Sequence, residues 1–181
     1  YTGFWWSKDS QHLAFIEVDE THIPIWRIAH PGKDIPTWED HRYPFAGAEN
    51  ARVRLGVVPA KGGETLWMDL TAGGQIPVEY LTRVHWMPDG RLIAWVQDRT
   101  QCRQDLVTVD PATGVGTILL TEHTPVWHNL HHIWHALSGE RSGSFLWATE
   151  RTGFRHLVIV GPNGELGAAL TSGDWQVDDV Q

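Results

Sequence analysis

A ten-residue pattern that occurs twice constrains this chain more than any other feature. Trp6-Ser-Lys-Asp-Ser-Gln-His-Leu-Ala-Phe15 returns as Trp86-Met-Pro-Asp-Gly-Arg-Leu-Ile-Ala-Trp95, with Trp, Asp, a Leu/Ile position, Ala and an aromatic at the same offsets. In each copy a strand ends at the Trp and a turn of Pro, Asp, Gly or Ser follows. An alternating strand then runs back over residues 13–18 or 92–96. A looser third copy runs from Trp134 through Ser138 and Gly139 to Phe145-Leu-Trp-Ala148, with a longer turn that carries Glu140, Arg141 and Ser142.

A second hairpin follows each copy. Residues 103–109 and 116–120 flank Asp110-Pro-Ala-Thr-Gly114, residues 155–160 and 166–170 flank Gly161-Pro-Asn-Gly164, and residues 54–58 and 65–70 flank Lys61-Gly62-Gly63. Four short antiparallel strands per unit, recurring at roughly 40–50 residues, is the pattern of a propeller blade. Helical periodicity is poor, and 18 Gly and 10 Pro punctuate the chain at intervals that suit tight turns. Eleven Trp residues, several times ordinary usage, fit a repeat that places large aromatics at equivalent positions. A β-helix or jelly roll also has many short strands, but neither explains whole hairpin pairs recurring with a shared Trp.

These features predict an all-β chain, a partial β-propeller of about three four-stranded antiparallel blades. The first covers residues 4–72 with an insertion at 20–50, the second 80–122 and the third 126–172, and 174–181 starts a further blade. Closed propellers have roughly four to eight blades, so three belong to a larger ring. Exposed blade faces and strand edges then predict self-association, or closure by a longer chain. The series Trp6, Trp86, Trp95, Trp134 and Trp147 is expected to pack between blades rather than to stack on a sugar.

Charge and cysteine usage narrow the function. A net charge of −8 with scattered Lys and Arg argues against nucleic-acid binding, which needs a clustered basic surface. No stretch is apolar for long enough to be a membrane-spanning helix. The single cysteine, Cys102, cannot form an internal disulfide or a cysteine metal cage. No Gly-x-Ser-x-Gly nucleophile elbow occurs, and Gly143-Ser144 leads into Phe-Leu of a strand. No catalytic residue, metal or cofactor is therefore assigned.

The first unit carries Asp19-Glu-Thr-His-Ile-Pro24 and, after a polar stretch, Arg42-Tyr-Pro-Phe-Ala-Gly-Ala-Glu-Asn50. With Trp5-Trp6-Ser7-Lys8-Asp9 before them and Val53-Arg54-Leu55 after, the order and spacing resemble the propeller domain of dipeptidyl peptidase IV-like serine exopeptidases, in the prolyl oligopeptidase superfamily. Val126-Trp-His-Asn-Leu-His131, Glu150-Arg-Thr-Gly-Phe-Arg-His156 and Leu170-Thr-Ser-Gly-Asp-Trp175 extend the resemblance over essentially the whole chain. Lys8, Phe45 and Ala51 depart from the family pattern at turn or surface positions.

The resemblance implies an eight-bladed parent ring and a serine-type dipeptidyl peptidase that releases X-Pro or X-Ala dipeptides from short peptides. It also implies a C-terminal α/β-hydrolase domain carrying the triad, as partner to a propeller that gates access and lines the cleft. On that reading this chain is non-catalytic. The family's Glu pair for the substrate amine lies upstream of the aromatic run, so Asp19-Glu20 is read as a turn instead. By the same resemblance Trp127, His131 and His132 are the candidates for lining the substrate cleft. His128/His132 and His131/His135 have the i,i+4 spacing of helical zinc ligands, but no Glu stands between them as a base. The alternative function is a stand-alone propeller module that binds a peptide or protein, a role for which the insertion at 20–50 has no evident use.

Overall fold

The computed structural model describes residues 3–32 and 34–180; Tyr1, Thr2, Lys33 and Gln181, the last residue of the stretch expected to start a further blade, lie outside it. Strands β1 (Phe4–Trp6) and β2 (His12–Asp19) form the first hairpin. The chain then leaves the sheet as β3 (Ile25–His30) and β4 (Thr37–Arg42), and returns beside β2 as β5 (Arg52–Pro59), followed by β6 (Leu66–Trp67). The second blade runs β7 (Tyr80–Trp86), β8 (Leu92–Gln97), β9 (Arg103–Val109) and β10 (Gly116–His123). The third is β11 (Trp134–Ala136), β12 (Phe145–Thr149), β13 (His156–Val160) and β14 (Leu166–Ala169). Each blade is a four-stranded antiparallel meander in chain order, apart from the β3–β4 excursion of the first. The chain is thus a set of β-propeller blades.

The repeated turn has one geometry in two chemistries. Gly90 and Ser10 hold the same position with φ of 88° and 58°, the left-handed region that glycine enters freely and serine at a cost. Asp9 supports the serine version by accepting from the Ser7 hydroxyl at 2.5 Å and the Gln11 amide at 3.0 Å.

Strand β8 shows how blades stack. All six of its residues are buried, and their alternation serves two interfaces. Leu92, Ala94 and Val96 join Ala14, Leu55 and Val57 of the first blade, while Ile93 and Trp95 join Phe145, Trp147 and Val160 of the third. Close approach between sheets also needs glycine. A methyl group on Gly116 would lie 1.9 Å from the Asp69 carbonyl oxygen, inside any allowed contact.

The expected inter-blade tryptophans divide. Trp95 and Trp147 are fully buried, Trp86 nearly so, and Trp134 packs against the same cluster. Trp6 differs from the rest, being 50% exposed among the described residues. Its counterpart Trp86 points back at the preceding blade, whereas no sheet among the described residues faces Trp6. Phe4 shares that open face, as does the edge-to-face pair Phe15–Trp67.

The insertion at 20–50, read only as polar chain, contains a β-hairpin. Cross-strand partners Arg27 and Asp40 form a two-bond ion pair at 2.7 and 2.8 Å, and every residue of both strands is exposed. Buried Ile23 and two bonds from Arg42 Nη1 to the carbonyls of Thr21 and Ile23 anchor its base. Asp19 makes a local turn, accepting from the Thr21 amide and hydroxyl, and those bonds lower its pKa. Residues 174–180 form no strand; Trp175 instead packs edge-on against His156, and the Val177 amide bonds to the Arg155 carbonyl.

Candidate functional site

Strands β1 and β7 are the first strands of neighbouring blades, and they approach each other. A cavity of about 710 Å³ opens along them and is closed on one side by the connection that carries Leu130 and His132. Trp5, Ile16, Leu81 and Leu130 make its wall mainly apolar, and Tyr80, Thr82, Arg83 and His85 give it polar points. An apolar concavity with a few convergent polar groups is the usual form of a small-ligand site.

A bulge in β7 decides which side chains face this space. Leu81 pairs with Val96 and Arg83 with Trp95, which leaves Thr82 without a partner in register. The Thr82 hydroxyl donates to the Trp95 carbonyl at 3.1 Å and stabilises the irregularity. Past the bulge, Val84 and Trp86 join the core with the first blade, while Arg83 and His85 turn towards the third. His85 stacks on Trp134 at 4.7 Å with rings 17° apart. Burial, helped by the nearby Arg83 charge, lowers the His85 pKa to about 4, so the ring is neutral at pH 7.

The three residues proposed from sequence do not share one surface. His132 borders the large cavity, where Arg83 Nη2 lies 3.5 Å from both of its ring nitrogens. Trp127 is half exposed in a second cavity of about 410 Å³, together with Glu122, His128, Asn129, Glu150 and Arg151. His131 lines neither. It is 5% exposed and sits between Trp95 and Trp147, with ring centroids 5.4 and 4.6 Å away. Its Nε2 lies 2.9 Å from the Ala148 carbonyl oxygen, which can only accept, so that nitrogen carries the proton. Burial lowers its pKa to about 4. The reason for the split is local: residues 126–133 are not helical, so neighbours point in opposite directions. The same geometry removes the i,i+4 alignment that a zinc pair on a helix would need. Among the described residues, no three of His, Cys, Asp or Glu converge as a metal site. Ser144 is mostly buried just before β12, its amide bonded to the Arg141 carbonyl.

Arg83 and His85 were not picked out from the sequence. Their signal was faint but present: a basic pair inside a strand whose other inward positions, Val84 and Trp86, are core.

The family model for the dipeptidyl peptidase IV (DPP IV) N-terminal region matches residues 1–181. The chain belongs to this family. Dipeptidyl peptidase 8 of Homo sapiens is 26% identical over 98% of this DPP IV N-terminal region chain, and the match covers 27% of the human protein. Venom dipeptidyl peptidase 4 of Apis mellifera is 29% identical over 87% of the chain and 23% of its own length. A crystal structure of a putative dipeptidyl aminopeptidase IV from Bacteroides ovatus superposes with a TM-score of 0.78 at 20% identity, covering 98% of the chain and 28% of that protein. Porphyromonas gingivalis dipeptidyl peptidase 4 gives the same TM-score at 24% identity, covering 96% of the chain and 24% of its own. The chain therefore spans about a quarter of the length of these relatives. No helix among its described residues is long and apolar enough to cross a membrane.

Proposed function

We propose that this chain is the non-catalytic propeller wall of a dipeptidyl peptidase IV-like serine exopeptidase, bordering the cleft through which short peptides reach a C-terminal α/β-hydrolase domain of the same polypeptide. The observation that carries this reading is the cavity along β1 and β7, sized for a few residues of extended peptide and bordered by His132. Trp127 sits in the neighbouring cavity on the same connection and is the second candidate wall residue. The proteolytic step itself, release of X-Pro or X-Ala dipeptides, is assigned to the hydrolase domain.

Kinetics of the full-length protein test the proposal. His132→Ala is expected to raise KM for dipeptide-releasing substrates several-fold with kcat and melting temperature little changed, the mark of lost ground-state binding. Trp127→Ala, compared in parallel, reports whether the smaller cavity also meets substrate. Unchanged kinetics in both would remove the cleft-wall role and favour a module that binds a peptide or protein without gating a peptidase.

A further inference from the structure

Arginines in this structure hold carboxylates in a repeated way. At Arg27, Arg54, Arg103 and Arg155 the Nε–Nη2 edge of the guanidinium faces Asp40, Glu17, Asp105 and Glu150 respectively. That edge presents two parallel N–H groups, which match the two oxygens or two lone pairs of a carboxylate.

Arg83 breaks the pattern. Its Nη1 donates to the Thr82 carbonyl at 2.7 Å, but its Nε is buried with no acceptor among the described residues. Its Nη2 meets only the His132 ring, at the outer limit of hydrogen bonding. Among the described residues no Asp or Glu lines the cavity, although the chain as a whole carries a net charge of −8. Among the described residues, the one full charge in this largely apolar wall is thus a guanidinium with no carboxylate against it. Neutral His85 adds a ring nitrogen, Nε2, that is also buried without a partner.

We infer that the cavity along β1 and β7 recognises a carboxylate of a peptide, taken by the Nε–Nη2 edge of Arg83 against the apolar wall of Trp5, Leu81 and Leu130. Binding requires the exposed His132 ring, held by no bond of ordinary length, to turn off that edge. A monoanionic carboxylate fits a single fork; a phosphate dianion would leave charge uncompensated among apolar groups. The inference deepens the cleft reading by adding a preference for acidic peptides, and it rests on the cavity being a peptide site.

Calorimetric titration of the full-length protein with uncleaved peptides tests it without reference to peptidase activity. One pair is Leu-Gly-Glu amide against Leu-Gly-Gln amide, for a side-chain carboxylate. The other is Leu-Gly-Gly with a free acid against its amide, for a C-terminal carboxylate. At least one acid form is expected to bind about tenfold more tightly than its neutral partner, the scale of a charge-assisted bidentate contact. In Arg83→Gln the ratio is expected to fall towards one, and Arg83→Lys, which keeps charge without the fork, should recover only part of it. Whichever pair shows the preference identifies the source of the carboxylate. Equal binding of acid and neutral peptides by the unmodified protein overturns the inference even if the variants fail to fold. So does a preference that survives in a folded Arg83→Gln, or tighter binding of inorganic phosphate than of either acid peptide. A protein with altered peptidase kinetics in His132→Ala but no acid preference would keep the cleft reading and lose this one.

Discussion

The indole Nε1 of Trp86 donates a 3.0 Å hydrogen bond to the backbone carbonyl of Trp5, tying the end of β7 to the first strand of the preceding blade. The ring itself lies in the core shared by the two sheets, 7% exposed. One residue therefore supplies both apolar contact and a directional tie between blades.

Two substitutions separate those contributions. Trp86→Phe keeps most of the ring volume and is expected to cost about 1–3 kcal/mol, because the bond to Trp5 is lost and the smaller ring leaves space. Trp86→Ala should cost about 3–5 kcal/mol as a large buried deletion. Urea unfolding measures both, and a loss below about 1 kcal/mol for the alanine variant would contradict the burial.

Glu122 ties the second blade to the third. It is 3% exposed and accepts from Trp147 Nε1 at 3.1 Å and Arg151 Nε at 2.8 Å. Glu122→Ala leaves the fully buried indole N–H unsatisfied and leaves Arg151 only its bond to the Thr121 carbonyl, at an expected cost of about 1–3 kcal/mol. Glu122→Gln keeps an acceptor and should recover part of that cost. Equal melting of the two variants would mean the hydrogen bond contributes little.

Two histidines packed between the second and third blades, His131 buried and His85 partly so, predict an acid-labile interface. His85 and His131 both have folded pKa values of about 4, lowered from 6.5 mainly by burial. Between those values the unfolded chain binds more protons than the folded one, so stability is fully present above about pH 6.5 and falls as pH drops towards 4. The slope is at most about 1.4 kcal/mol per pH unit for each histidine. Chemical denaturation at several pH values reads it directly. His131→Gln, whose amide can still donate to the Ala148 carbonyl, should flatten the profile; an unchanged profile would assign the lability to other groups.

The open face of the first blade predicts association. Phe4 and Trp6 are each about half exposed beside Phe15 and Trp67, an apolar sheet face that another sheet could cover. Light scattering on this chain should show mass rising with concentration, and Trp6→Glu should hold it closer to monomer. A monomer at all concentrations in the unmodified chain would show that this face is tolerated by water.

The blade architecture was legible because each blade repeats its own local instructions. Trp6-to-Phe15 and Trp86-to-Trp95 specify strand, turn and strand within ten residues, and the structure places both hairpins where that pattern lies. The β3–β4 hairpin was less legible, since strands without a buried face have no apolar alternation to display; Arg27 opposite Asp40 becomes meaningful only once the pairing is known. The site was legible least. Family resemblance grouped Trp127, His131 and His132, but a backbone that is not helical over 126–133 sends such neighbours to different sides.

What the sequence by itself determined was therefore local and periodic: strands of period two, turns at Asp9-Ser10 and Asp89-Gly90, and an aromatic at a set place in each unit. Only the tertiary structure decided what lay on either side of those strands. It buried Trp86 and left its counterpart Trp6 half in water, placed His131 between two indoles, and left Arg83 facing a cavity without a carboxylate. The physical reason is that a strand's two faces are written in its own alternation, whereas the occupant of each face comes from a neighbouring sheet or connection distant in sequence.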